Sequence, residues 1–326
     1  MTHDLAIVII STNEAHWLEP CLRTVFAQAG GADLDVVVMD NASTDGTREL
    51  VESKFPAARV VDSVNHGFAH ANNQGAITCD ARYILFLNPD TEIVDGTFGE
   101  VVELLDARPE VGLAGVRQIT GDGELSPTMR RLPSIGRSLG HALVSERWPV
   151  RPAWACERIL DMDRYEREFS ADWTSGSCMF VRREALWSSG LMDERFFIYS
   201  EEPDLCLRMK RDGWDVRHLP QMTIIHHAGK AGVKPRMIAQ DTYARKQYAH
   251  KHFSAPRRVG YQAAILFEYL LRAAASRRGP DAAAKRSAAR LAIRTLLNRA
   301  DPPFGAPPAT AFPVAAETRT GRGVHA

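Results

Sequence analysis

Three apolar runs, each broken off by a polar cluster, limit what this chain can fold into. Residues 5–10 (LAIVII), 35–39 (DVVVM) and 83–87 (YILFL) lack the polar alternation of a half-exposed strand. Such runs are expected of strands buried on both faces, as in a parallel sheet. Between them lie helical patterns: Trp17, Leu18, Leu22, Val25 and Phe26 share one face, a short helix is expected near 47–54, and another over 67–78. With a further strand at 59–64, strand, loop and helix alternate through about residue 116. That alternation predicts an open α/β sheet. Ligands of such sheets sit outside the carboxyl ends of the strands. Residues 11–14 (STNE), 40–46 (DNASTDG) and 88–90 (NPD) fall there.

The regularity then fades. Residues 121–149, rich in Gly, Pro, Arg and Ser, read as a long mobile loop region. Order returns at 171–181, with a helix near 204–212 and a short strand at 222–225 ending in His226-His227. From Pro256 the chain reads as two basic helices broken at Gly279-Pro280, and after Ala300 as a Pro- and Ala-rich disordered tail. The expected organisation is one α/β domain in two halves, 1–120 with the strand-end polar clusters and 121–235 with the paired acids. Basic helices over 236–300 and a tail over 301–326 follow.

Formal net charge is zero over 326 residues, so the overall balance names no polyanionic partner. The charge is unevenly spread, with twelve Arg and Lys against four Asp and Glu from Pro256 onward. That basic stretch lacks interleaved aromatics, which argues against a nucleic-acid partner. Five dispersed cysteines without a CxxC fit neither a disulfide framework nor a zinc site and suit a reducing cytoplasm. No run approaches the roughly 18 apolar residues that span a bilayer.

The polar clusters ask for related chemistry. Asp40 and Asp45 in DNASTDG can accept hydrogen bonds from a base imide or a ribose hydroxyl, although the same residue types also cap helices and close turns. No GxGxxG follows the first strand, which argues against a dinucleotide-binding dehydrogenase. Residues 65–73 (NHGFAHANN) open a helix with amides and a glycine that suit close backbone approach to a ligand. Asp90 ends a strand where a diphosphate can arrive with Mg²⁺ or Mn²⁺, since hard cations bridge one or two carboxylates to phosphate oxygens. Imidazole at His226 also suits Mn²⁺. In 196–208 (FFIYSEEPDLCLR), Glu201, Glu202 and Asp204 follow an aromatic cluster, and Asp204 is expected to cap the helix after it. Burial and like-charge crowding raise a carboxylate's proton affinity, which makes it a usable general base.

Taken in order, IVIISTNEAHWLEPCL, VVVMDNASTDGT, NHGFAHANNQG, YILFLNPDTE, DWTSGSCMFVRREAL, DERFFIYSEEPDLCLRMKRDGW and IIHHAG resemble a family 2 glycosyltransferase of the GT-A fold, over about residues 4–235. ELSPTMRRLPS, at 124–134, is similar to the bacterial rhamnosyltransferase-like subgroup, which includes enzymes that add rhamnose to a polyprenyl-diphosphate-linked sugar. The resemblance implies that Thr12, Glu14 and Asp40 hold the nucleoside with Asn72 nearby. It sets Asn88 and Asp90 in the place of the DxD motif, with Asp90 a ligand of Mg²⁺ or Mn²⁺ and His226 completing the shell. Trp173, Ser175 and Gly176 would line the junction with the acceptor. Glu201 and Glu202 match the Glu-Asp pair whose second member is the base. Three departures stand out: Asn88 for the first Asp of DxD, Glu202 for Asp, and Ala-Gly-Lys-Ala-Gly after the histidines, where Lys230 can meet a phosphate.

The resemblance thus implies an inverting, metal-dependent transfer from a dTDP- or UDP-sugar, rhamnose favoured, to a hydroxyl of a glycan or polyprenyl-linked acceptor in cell-envelope polysaccharide synthesis. Galactose, N-acetylglucosamine or mannose as donor sugar is one alternative, and a sugar-nucleotide-binding pseudoenzyme another. A nucleotidyltransferase would need a Gly-rich basic loop after the first strand, which residues 11–14 do not offer. The C-terminal basic helices have two open readings in a cytoplasmic protein. They pack on the catalytic domain, or they lie peripherally on the inner face of the cytoplasmic membrane.

Overall fold

Strand β1 (His3–Ser11), helix α1 (Ala15–Ala27), β2 (Leu34–Asp40), α2 (Thr47–Lys54), β3 (Ala58–Asp62), α3 (Phe68–Ile77) and β4 (Ala81–Leu87) open the chain. The computed structural model describes residues 1–143, 152–227, 234–276 and 281–305. Next come β5 (Thr91–Asp95), α4 (Phe98–Asp106), β6 (Val111–Ile119), β7 (Met129–Arg130) and α5 (Ile135–Leu143). The chain continues with β8 (Phe169–Ser170), β9 (Trp173–Thr174), β10 (Cys178–Arg182), α6 (Arg183–Ser188), α7 (Glu201–Arg211) and β11 (Asp215–His226). Helices α8 (Pro235–His252), α9 (Ala255–Ala275) and α10 (Ala282–Leu296) follow.

Among the described residues the main sheet runs β3-β2-β1-β4-β10-β6-β11-β5, with β8 added to β11. Strands β3, β2, β1 and β4 are parallel neighbours, as are β6 and β11. Antiparallel β10 separates these two groups, and β5 and β8 also run against the common direction. The β1 pleat sends Leu5, Ile7 and Ile9 toward Leu18, Leu22 and Val25 of α1 and Phe98 of α4. Ala6 and Val8 face the other way, toward Ala69 and Ala76 of α3 and Leu205 of α7. Helices on both faces are why LAIVII is apolar throughout, and each fully buried Leu, Ile or Val stabilises by roughly 1.5–3 kcal/mol.

The C-terminal helices make their own core, in which Tyr248, Tyr261, Ile265, Tyr269, Ala292 and Leu296 pack with Phe196 from the catalytic half. Four expectations need correction. Residues 121–149 are not one loop, since they hold β7 and α5. The strand expected at 222–225 is the end of a twelve-residue strand. Asp204 does not cap the helix: it lies inside α7, fully buried, and binds Arg208, Lys251 and His252. The tail reading from 301 also meets ordered contacts, because Phe304 stacks on Phe197 with centroids 4.7 Å apart and Arg236 lies over its ring. Lys230 and the Gly279-Pro280 break lie outside the described residues.

Candidate active site

A cleft of about 1190 Å³ opens at the carboxyl ends of the strands, between the sheet, the segment after β6 and the C-terminal helices. Ten expected site residues line it: Thr12, Glu14, Asn88, Asp90, Trp173, Ser175, Gly176, Glu201, Glu202 and His226. Asp40 and Asn72 sit behind the wall, both buried, and Asn41 lines the cleft at that point.

The first loop and the DNASTDG loop are tied to each other. Asp45 Oδ2 accepts from the Ala15 amide at 2.9 Å and so caps α1 from another segment. Thr44 N donates to Asn13 Oδ1 at 2.7 Å, and Asn13 N donates to Ser43 Oγ at 3.0 Å. Asp40 Oδ1 accepts from Ser43 N at 2.9 Å. The capping reading therefore explains Ser43, Thr44 and Asp45. Glu14 is pushed toward its protonated form by burial, then by the charges of Asp90 and Asp45.

In NHGFAHANN, Gly67 has φ +104° and a Cβ there would run into the Phe197 carbonyl, so glycine is required. Asn73 and His70 serve the scaffold. Asn73 bonds the backbone of Met192 and Glu194 Oε1 at 2.9 Å, and His70 Nδ1 is 2.9 Å from Glu194 Oε2. Asn72 Nδ2 has no hydrogen-bond partner among the described residues.

At the end of β4, Asp90 Oδ1 lies 3.1 Å from His226 Nε2, and Asn88 Nδ2 is 3.4 Å from the same nitrogen. Gln118 takes the other ring nitrogen at 3.0 Å and is itself bonded by Ser177 Oγ at 2.6 Å. Gln118 thereby fixes which edge of the ring meets Asp90. The neighbouring His227 stacks on Trp17 and bonds Glu92 at 2.6 Å, away from Asp90. No group of three or more His, Cys, Asp or Glu suited to a metal occurs among the described residues. One carboxylate and one imidazole nonetheless fit a cation that takes its other ligands from diphosphate oxygens and water.

The acid pair opens α7. Tyr199 and Ser200 before it have φ +72° and +71°, a left-handed conformation uncommon for such residues. That turn points Glu202 at the cleft, where its Oε1 accepts from the Gly176 amide at 3.0 Å. Burial raises the proton affinity of Glu202, opposed by the positive charge of Arg130 and the Gly176 N–H. Glu201 is almost fully buried and its Oε2 has no partner among the described residues. Burial, then the Glu202 charge, raises Glu201 well above the ordinary glutamate range. Both carboxylates are thus shifted toward their protonated forms, Glu201 the more strongly. Trp173 donates from Nε1 to Arg131 O at 3.0 Å, and its ring carries the Arg130 guanidinium at 4.9 Å. Gln118 was not expected from sequence, being an isolated polar residue, and Arg130, although it falls in the 124–134 stretch, was given no site role there.

A sheet carrying a carboxylate and an imidazole at one strand end, with a paired acid across the cleft, holds its polar groups at the carboxyl edge where ligands of open α/β sheets sit. The glycosyl transferase family 2 model matches residues 6–190. The chain belongs to that family and is a glycosyltransferase. Among curated proteins it is 30% identical over 239 residues to N-acetylglucosaminyl-diphospho-decaprenol L-rhamnosyltransferase of Mycobacterium tuberculosis, covering 70% of this chain and 77% of that one. It is 22% identical over 236 residues to rhamnosyltransferase WbbL of Escherichia coli, covering 68% and 83%. Among solved structures, the mannosyltransferase PcManGT from Pyrobaculum calidifontis, in complex with GDP-Man and Mn2+, matches with TM-score 0.55 at 16% identity over 92% of this chain and 87% of that one. This last likeness speaks to the GT-A fold alone.

Proposed function

We propose that this protein transfers L-rhamnose from a nucleoside diphosphate to a hydroxyl of a lipid-linked, diphosphate-bearing sugar, with inversion at the anomeric carbon. The observation that carries the reaction type is Glu202, buried, held by the Gly176 amide, and lining the same cleft as Asp90 and His226. The relative named for rhamnose transfer to a decaprenyl-diphosphate sugar supports the donor and acceptor classes.

Glu202 accepts the proton of the acceptor hydroxyl while that oxygen bonds to the anomeric carbon. The bond from that carbon to the diphosphate oxygen breaks on the opposite face, and the nucleoside diphosphate leaves with the electron pair. One base and no protein nucleophile suffice, and a positioned base supplies about 10²–10⁴-fold. Asp90 and His226 would hold a divalent cation, Mg²⁺ or Mn²⁺, which when bound offsets charge developing on the diphosphate. Glu14 and Asn41, on the wall near Thr12, face the nucleoside.

Peripheral membrane contact belongs to the same reading. Helix α10 buries Ala288, Ala292 and Leu296 against its neighbours, which supports packing for that helix. On α9, however, Val259, Phe267 and Leu270 are exposed on one stripe. No described helix is long and apolar enough to cross a membrane. Co-sedimentation with anionic liposomes tests the contact, since Phe267→Ser with Leu270→Ser weakens binding if the stripe inserts.

A thermal-shift screen with Mn²⁺ and dTDP-rhamnose, UDP-galactose, UDP-N-acetylglucosamine and GDP-mannose tests the donor. A ligand at 100 times its Kd stabilises by about 2.7 kcal/mol. Selective stabilisation by a donor other than dTDP-rhamnose sinks the rhamnose assignment.

A further inference from the structure

The half of the cleft beyond Glu202 carries three guanidinium groups, those of Arg130, Arg137 and Arg158, that make no ion pair among the described residues. Arg130 on β7 and Arg158 face each other in an isolated antiparallel bridge, and both line the cleft. Residues directly opposite across such a bridge project to the same side, and like charges placed so are destabilising. Neither side chain has an ion pair among the described residues. Arg130 Nε is buried without a hydrogen-bond partner, and the guanidinium rests on the Trp173 ring. Arg158 is exposed to the cleft. Arg137, on the same wall, donates to the carbonyls of Leu132 at 2.5 Å and Ala153 at 3.3 Å and meets no carboxylate among the described residues.

Among the described residues no ion pair in the wall cancels this charge, although Glu157 and Glu202 lie near enough to Arg130 to act on it. Glu157 lies beside Arg158 but ion-pairs with neither arginine among the described residues, and burial favours its protonated form. Arg245 is already occupied by Glu268 at 3.3 Å and Asp241 at 3.8 Å. An opposed pair of unpaired arginines, one held in place by an aromatic face, is a cost that an anion between them would remove. Planar guanidinium groups bind phosphate oxygens in bidentate fashion.

We infer that Arg130 and Arg158, backed by Arg137, form a seat for the diphosphate of the acceptor, separate from the donor diphosphate beside Asp90 and His226. This deepens the function proposed above and rests on it for the identity of the anion. The placement follows from the cleft: the seat is built by segments after β6, and Arg130 is close enough to Glu202 to bias its ionisation. A sugar whose hydroxyl meets Glu202 can therefore present its own diphosphate to the arginines. The same chemistry in a donor diphosphate is the competing source.

Two measurements on the full chain test the seat. The first is calorimetric titration with inorganic pyrophosphate in EDTA, which removes any metal-dependent donor site. Arg158→Gln and Arg130→Gln should each weaken pyrophosphate by at least about tenfold, the scale of a charge-assisted contact, and Arg158→Lys should recover part of it. Arg158 is exposed, so its variants do not put folding at risk. Equal binding by all these proteins, or none by the wild type, overturns the seat whatever the enzyme transfers. The second compares transfer to an alkyl-diphosphate-linked sugar with transfer to the same sugar on a neutral alkyl group. The ratio of the two kcat/KM values should fall at least about tenfold in both Gln variants. A rise in donor KM with that ratio unchanged moves the arginines to the donor and overturns the proposal. Pyrophosphate binding that needs both arginines, in a wild type that transfers from no donor, supports the seat and faults the transfer reading instead.

Discussion

The amide of Gly176 donates to Oε1 of Glu202 at 3.0 Å, joining the turn after β9 to the first turn of α7. In this bond one oxygen of the proposed base accepts the N–H, which leaves the other oxygen for the acceptor. A Cβ on residue 176 would stand 2.8 Å from that oxygen and 3.3 Å from Phe68 Cζ. Gly176→Ala should therefore displace the Glu202 carboxylate. We expect transfer to fall by on the order of 10²-fold, the cost of a misplaced reacting group, with donor affinity retained. Full activity in Gly176→Ala would show that the bond does not position the base.

Removing the base itself separates chemistry from binding. Glu202→Gln keeps the shape and the Gly176 contact but cannot take a proton, so transfer should drop by about 10²–10⁴-fold. Thermal shift with donor should be unchanged. Transfer at the wild-type rate in Glu202→Gln ends the assignment.

The pH profile follows from the same burial. Glu202 has its proton affinity raised above the ordinary value of 4.5, and a base works only when deprotonated. Activity should thus be lost as pH falls, with the acid limb of kcat/KM above 4.5. Glu201 carries the opposite lesson for stability. Its folded-state proton affinity is well above 4.5, so the folded chain holds a proton that the unfolded chain has released. Stability contributed by this group therefore declines as pH rises from 4.5 toward its folded value. Glu201→Gln should melt higher than wild type at pH 8 by a wider margin than at pH 5. An equal margin at both would mean that Glu201 is not held protonated.

Much of the fold was legible because it is written locally. LAIVII, DVVVM and YILFL announce buried strands, and the helix expected near 47–54 is observed as α2. Pairing between distant segments is not written that way. Nothing in CMFVR tells that β10 inserts antiparallel between β4 and β6. Asp204 looked like a helix cap because acids favour that position, but its partners Lys251 and His252 come from α8, far along the chain. At the site, residues in clusters were found and isolated ones were missed. Gln118 and Arg130 acquire meaning only through His226, Trp173 and Arg158. Asp40 and Asn72 stood in telling motifs yet lie behind the wall: Asp40 spends a carboxylate oxygen on the Ser43 amide, and Asn72 is buried within α3.

The donor end should respond to metal through two residues and their support. Chelation with EDTA should lower donor affinity, and Asp90→Ala should blunt the effect of restoring Mn²⁺. Gln118→Leu leaves both Asp90 and His226 in place but frees the His226 ring, and loss of such outer support typically costs about 10–100-fold in metal affinity. Mn²⁺ binding followed by electron paramagnetic resonance reads this without any turnover. Affinity unchanged in both variants would remove the cation from this end of the cleft.

Asp204 sets a last test, of how the C-terminal helices are joined to the catalytic half. Its carboxylate is fully buried in α7 and sits 2.6 Å from both Lys251 Nζ and His252 Nε2, with Arg208 at 2.8 Å. Burial alone would raise its proton affinity, but the bond to His252 and the charges of Arg208 and Lys251 hold it below the ordinary aspartate value. Taking away the acid leaves those cations facing one another without their counter-charge. Breaking a buried ion pair by removing one partner costs about 3–5 kcal/mol, so Asp204→Ala should be among the most destabilising single changes in the chain. Chemical denaturation should show it, and protease should cut first in α8, which loses its anchor to α7. A variant with wild-type stability would mean that the apolar contacts of Phe196 and Tyr248 hold the helices without help from the ion cluster.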